Sequence, residues 1–170
     1  MPKPIPERRK RKLDERRESC AAACRAVVKS PADEGTKRTA LRALVRYATP
    51  KGVQRPGDLR TAGVAELDVD AAKAASIDQE HVVPVRVLVE RMLAGDDPDD
   101  VLGVAVVAHV LTEEHKAIGT LAKRHARLYE QMRTAPLQDL PTLGRRRYED
   151  SKLQLDTVPR AVIPQRLFDE

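Results

Sequence analysis

The sequence predicts an α+β fold that is predominantly helical, and three observations carry that expectation. Aromatic residues make up 2% of the 170-residue chain (one Phe, three Tyr, no Trp). The core must therefore be assembled from Val, Leu and Ala, which suits small helical architecture better than an aromatic-rich β-sandwich. Apolar residues recur at three- and four-residue spacing along most of the chain. Only two short stretches, Ser76–His81 and the valine-rich Val104–Leu111, read as strand. With 41% hydrophobic and 34% charged residues the chain can bury a modest core, and wholesale disorder is excluded.

The elements follow in order. Leu13, Cys20, Cys24, Val27 and Val28 fall at helical spacing, so Glu7–Lys29 reads as one basic amphipathic helix, ended by Ser30-Pro31. Its two cysteines supply neither a metal cage nor a disulfide framework. They are expected as small buried apolar residues in a reducing cytoplasm, with a redox or metal role as the alternative. Thr36–Ala48 is a second helix, with Ala40, Leu41, Leu44, Val45 and Ala48 inward and Arg38, Arg42 and Arg46 in a row outside. Residues 50–63 hold two Pro and three Gly and read as a loop. A short helix is expected around Asp68–Ala75. After the strand Ser76–His81, Pro84 starts a helix over Val85–Leu93 that Ala94-Gly95 closes. Asp97 caps a further short helix. Thr112 caps one that runs to about Arg133, with Ile118, Leu121, His125, Leu128 and Met132 as its buried stripe. Three units follow: a basic N-terminal helical arm over residues 1–30, a single globular domain over 31–135, and an extended C-terminal arm over 136–170.

Charge alternates along the chain. Residues 1–30 carry ten basic residues against four acidic ones, residues 66–100 ten acidic against three basic, and residues 121–147 seven basic against two acidic. Basic segments of this kind grip a phosphate backbone without reading its sequence. Arg8, Arg9, Lys10, Arg11, Lys12, Arg16, Arg17, Arg38, Arg42 and Arg46 are the candidate contacts, and a solubilising tail is the plainer reading of the arm. The scarcity of aromatics excludes a base-stacking platform, so duplex DNA is favoured over single-stranded RNA. The arms could also dock the chain into a larger protein or nucleoprotein assembly. No apolar run approaches 18 residues, so no membrane span is expected. Met1–Ser19 lacks the apolar core of a secretory leader, and a cytoplasmic location is expected.

Four histidines hold most of the chemistry: His81, His109, His115 and His125. His125 lies on the buried stripe and is expected in the core. His109 shares a strand face with Val107 and Leu111, either buried or in a site. His81 follows Asp78 and Glu80 at the end of a strand. His115 stands in the first turn of the helix after the second strand. A divalent cation takes carboxylate and imidazole together. A second imidazole beside it can accept a proton from water, and a helix N-terminus attracts phosphate. Those are the parts of metal-dependent phosphodiester hydrolysis.

Glu80-His81-Val82-Val83-Pro84, followed some thirty residues later by Val110-Leu111-Thr112-Glu113-Glu114-His115-Lys116-Ala117-Ile118, resembles the ββα-metal (HNH) endonuclease motif. The resemblance covers about residues 77–121 and implies a small ββα-like core flanked by amphipathic helices and basic arms. It implies His81 as general base, with Glu80 and His115 as ligands of one divalent ion (Mg, Mn or Zn). The chain departs from the family pattern in containing no Asn, the residue that normally steadies the loop or the base. Two functions are therefore expected as alternatives. One is a small metal-dependent DNA endonuclease. The other is a non-enzymatic module that binds nucleic acid or protein through its basic arms, with His81 and His115 structural.

Overall fold

The computed structural model describes residues 7–49, 59–67, 71, 75–120 and 125–157. The chain opens with two antiparallel-neighbour helices, α1 (Glu7–Lys29) and α2 (Glu34–Ala48), followed by strand β1 (Leu59–Thr61) and the single turn α3 (Ala62–Ala65). Strand β2 (Ile77–His81) leads into α4 (Val85–Ala94) and α5 (Pro98–Gly103). Strand β3 (Val107–Leu111) runs directly into α6 (Thr112–Thr120). Then come α7 (Ala126–Thr134), a 3₁₀ turn over Leu137–Asp139, α8 (Leu140–Asp150) and strand β4 (Leu155–Thr157). The fold is predominantly helical α+β, as the sequence predicts.

Local chemistry explains the boundaries. The Asp33 side chain accepts from the Thr36 amide and caps α2, which starts at Glu34, two residues before the predicted Thr36. Gly95 ends α4 at φ +110°, a conformation that glycine alone adopts without strain. Asp97 caps α5 by accepting from the Asp99 amide, and Pro98 occupies its first turn.

The four strands form one sheet in the order β2-β3-β1-β4. β2 and β3 are antiparallel, with Gln79 opposite His109 and His81 opposite Val107. β1 lies parallel to β3 and antiparallel to β4. Two hydrophobic clusters result. The larger joins α1, α2, α4, α5 and α7 through residues such as Cys24, Leu41, Val45, Leu88, Met92 and Met132. The smaller, beside the sheet, holds Leu59, Val82, Ala108, Val110, Ile118 and Tyr148. The boundary falls between consecutive residues: Val82 belongs to the sheet cluster and Val83 to the helical one.

Several expectations are corrected. The predicted loop over 50–63 is instead occupied from residue 59 by β1 and the start of α3, because Leu59 has a buried place beside β3; residues 50–58 lie outside the described residues. The second strand begins at Val107 rather than Val104, since Val104 closes α5. The helix predicted from Thr112 to Arg133 is two helices, α6 and α7, with His125 at the start of the second. Its stripe divides accordingly: Ile118 packs in the sheet cluster, Leu128 and Met132 in the helical one. Leu121, like most of the helix expected at Asp68–Ala75, lies outside the described residues. The C-terminal arm is not extended over residues 137–157. There α8 buries Leu140, Gly144, Arg147 and Tyr148, and β4 completes the sheet. In the N-terminal helix Cys20, Ala21 and Cys24 are core. Both cysteines are free thiols, and burial raises their pKa, for Cys24 to about 11. That is the inert behaviour of small apolar residues.

Candidate functional site

The sequence-predicted trio converges. β2 carries Glu80 and His81 to the end of the sheet, and α6 turns back along the β2–β3 pair to bring His115 alongside. The His115 Nε2 lies 3.2 Å from the Glu80 Oε2. Its Nδ1 lies 3.2 Å from the Asp78 Oδ2. Glu80, His81 and His115 then line one pocket of about 540 Å³ together with Arg46, Thr49, Gln79, Pro84, Val85 and Val107. The β2–β3 pair with α6 behind it is a ββα unit, although α4 and α5 are inserted between its strands.

Asp78, noted in the sequence only as an acid before His81, is a further member. It precedes Glu80 by two residues, so strand alternation puts both carboxylates on one face. That spacing was the available signal. Asp78 also accepts from the Thr112 hydroxyl at the start of α6, which ties the helix to β2. A carboxylate on the far nitrogen of an imidazole orients the ring, as it does around metal-ligating histidines.

His81 is oriented by a second helix. Its Nε2 lies 2.8 Å from the Thr49 Oγ1 at the end of α2. The Thr49 hydroxyl donates to the Val45 carbonyl at 2.9 Å. One oxygen is thus shared between the Val45 carbonyl and the His81 ring, and it holds the imidazole against the end of α2.

Glu80 and the strand end are held from α8. The Arg147 guanidinium is buried. It donates to the Glu80 Oε1 at 2.8 Å and to the His81 and Val82 carbonyls at 3.0 and 3.2 Å. Burial works to lower the Arg147 pKa, while Glu80 first and then Tyr129 and Tyr148 work to raise it, and the net shift is upward. Tyr148, its neighbour, is pushed far up by burial and by the same carboxylate. Neither residue was singled out in sequence, because both fall in the segment expected to be an extended arm.

The other histidines stand apart. His125 is fully buried, stacked edge-on to Tyr129 with ring centroids 6.3 Å apart, as expected of a core histidine. His109 is buried on β3, paired in register with Gln79 and Arg60.

The basic candidates divide as well. Arg38 pairs with Glu34 and Glu90. Arg11 pairs with Glu15, and Arg16 lies over the exposed Tyr47 ring at 4.9 Å. Arg8, Lys12 and Arg17 are exposed, and the side chains of Arg9 and Lys10 lie outside the described residues. Arg42 and Arg46 have no ion pair among the described residues, and Arg46 stands at the pocket. The acidic middle of the chain is partly spent internally: Arg25 meets Asp97 and Asp99, and Arg133 meets Glu90.

Two ligands of one cation at about 2.1 Å stand roughly 3.0–3.4 Å apart in octahedral or tetrahedral geometry. The Glu80–His115 separation lies inside that span. Among the described residues no group of three or more His, Cys, Asp and Glu side chains is arranged to hold a metal ion. A two-donor site suits a cation that keeps most of its waters, as Mg²⁺ does, better than a Zn²⁺ cage. No helix among the described residues is long and apolar enough to cross a membrane. No family model, curated protein or solved structure matches the chain.

Proposed function

We propose that this protein is a small divalent-cation-dependent phosphodiester hydrolase of the HNH type that acts on duplex DNA. The observation that supports it best is the convergence of Glu80, His81 and His115 on one pocket bordered by Arg46. Glu80 Oε2 and His115 Nε2 are the donors that would hold Mg²⁺ or Mn²⁺. When bound, the cation supplies charge for the phosphate and its leaving oxygen. Asp78 keeps the His115 ring in place. His81, held by Thr49, takes a proton from the attacking water. Arg46, and Arg42 one turn earlier, meet the phosphate backbone, and the exposed basic residues of α1 extend that contact.

A second reading has its own observation. Both ring nitrogens of His115 already face carboxylates, an arrangement that satisfies a purely structural histidine. The chain is then a non-enzymatic module that binds nucleic acid or protein through its basic helices.

Plasmid nicking with Mg²⁺ or Mn²⁺, alongside calorimetric titration of the ion, separates the two. Under the hydrolase reading His81→Ala lowers cleavage by about 10²–10⁴-fold, the usual contribution of a general base, and leaves ion binding in place. His115→Ala loses both. A wild type that binds no divalent ion, or cleavage untouched by both substitutions, leaves the binding module standing.

A further inference from the structure

We propose that Arg147 is a positioning residue: from α8, sixty-seven residues downstream of Glu80, it sets which carboxylate oxygen Glu80 presents to His115. One planar guanidinium meets three acceptors from three consecutive residues, namely the Glu80 Oε1, the His81 carbonyl and the Val82 carbonyl. They lie where β2 leaves the sheet. Arg147 thus satisfies two carbonyls at that exit and grips the one side chain that must be aimed. A lysine ammonium is a point donor on a flexible stem and does not reproduce that fork.

The helix is placed for this task. A Cβ at Gly144 would stand 2.5 Å from the Val82 carbonyl oxygen. Glycine therefore lets α8 approach the strand end closely, and Arg147, one turn on, falls on the same face. Tyr148 follows on that face and fills the sheet cluster beside Val82.

The consequence is a divided carboxylate. Oε1 is committed to Arg147, so only Oε2 faces His115. Glu80 is a single-oxygen donor, which disfavours large cations such as Ca²⁺ that draw on bidentate carboxylates. This last step rests on the hydrolase reading; the division of the carboxylate does not.

The test reads the His115 ring directly. In nitrogen-correlated NMR spectra of the full chain without added metal, His115 is assigned by the loss of its signals in His115→Gln. Glu80→Gln and Arg147→Lys are expected to move the Nε2 resonance in the same direction and to a similar extent, with the Asp78-facing Nδ1 resonance held. An Arg147→Lys chain that folds like wild type with Nε2 unmoved overturns the proposal. If Arg147→Lys does not fold, the Glu80→Gln/Arg147→Met double variant decides. Recovery of folding supports a pair in which each charge needs the other, and failure assigns Arg147 to packing alone. In a parallel Mn²⁺ titration, Arg147→Lys is expected to bind about 10–100-fold more weakly, as loss of a group that orients a ligand does. Equal Mn²⁺ affinity in the two chains overturns positioning. A wild type that takes up no Mn²⁺ overturns the hydrolase reading instead, and the resonance comparison then decides Arg147 by itself.

Discussion

The helical and sheet clusters touch at Val82 and Val83 but are built by opposite rules. The helical cluster closes largely on aliphatic side chains from α1, α2, α4, α5 and α7, with Thr49 and His125 as the buried polar residues of those elements, and ion pairs such as Arg25 with Asp97 lie at its surface. Beside the sheet, His109, Thr61 and Arg147 are all buried. Thr61 donates to Glu114, and Arg147 donates to Glu80 and two carbonyls. Apolar burial needs only volume and a periodic face. Polar burial needs a named partner at hydrogen-bond distance, and here the partners come from far along the chain.

If that contrast is right, the two regions fail differently. The largest stability loss comes from the helical side. Leu41 is fully buried there, so Leu41→Ala is expected to cost about 2–5 kcal/mol in denaturant unfolding. The His115 ring signals of the folded fraction should stay where they are. A shift of those signals would mean that the two clusters are mechanically one.

Gly144→Ala is the converse. It adds one methyl group against the Val82 carbonyl. Overpacking of this kind costs about 1–3 kcal/mol, which is smaller than the Leu41 effect. Yet it should displace α8 and with it Arg147, so the His115 Nε2 signal moves. Unfolding measurements and spectra on the two variants should therefore rank in opposite orders. Gly144→Ala with wild-type stability and spectra would mean that α8 has room to spare at this contact.

The same contrast explains what was legible in the sequence. The helical side was readable because period and caps are local: Glu7–Lys29 was predicted to the residue, and Asp97 and Gly95 marked their helix ends. Glu80, His81 and His115 were legible because an acid–His pair at a strand end and a histidine in a helix's first turn are local signals too. β1 and β4 were not, being three-residue strands whose only support is pairing with partners distant in the chain. Arg147 and Tyr148 escaped for the same reason. In sequence they sit in an arginine run after a Pro-punctuated stretch that reads as an arm. Only the tertiary placement of α8 turns Arg147 into a ligand of Glu80, and only Gly144 permits that placement.

His125 offers the finest test, because it stands where the two regions meet. It opens α7 on the helical side, yet Arg147 from the sheet side acts on it. Burial lowers its pKa, the positive charge of Arg147 lowers it further, and Asp150, 3.4 Å from Nε2, opposes both. The native state therefore favours a neutral ring, while the unfolded chain titrates near the ordinary value of about 6.5. Below that value the unfolded state binds the extra proton, so stability must fall as the solution is acidified. The contribution is fully present above about pH 6.5 and is lost from there down through the depressed native value. Carboxylates give the same sign at lower pH, so the measurement is a difference. Unfolding free energies of wild type and His125→Phe are compared between about pH 5 and pH 7, where histidine dominates. Wild type should lose stability relative to the variant on acidification, with a slope no steeper than about 1.4 kcal/mol per pH unit, the limit for one proton. Adding Arg147→Met to both chains should shallow that difference by removing the nearby positive charge. Parallel curves for wild type and His125→Phe would show that the ring accepts its proton as easily inside the protein as outside it, and that burial at this junction carries no electrostatic cost.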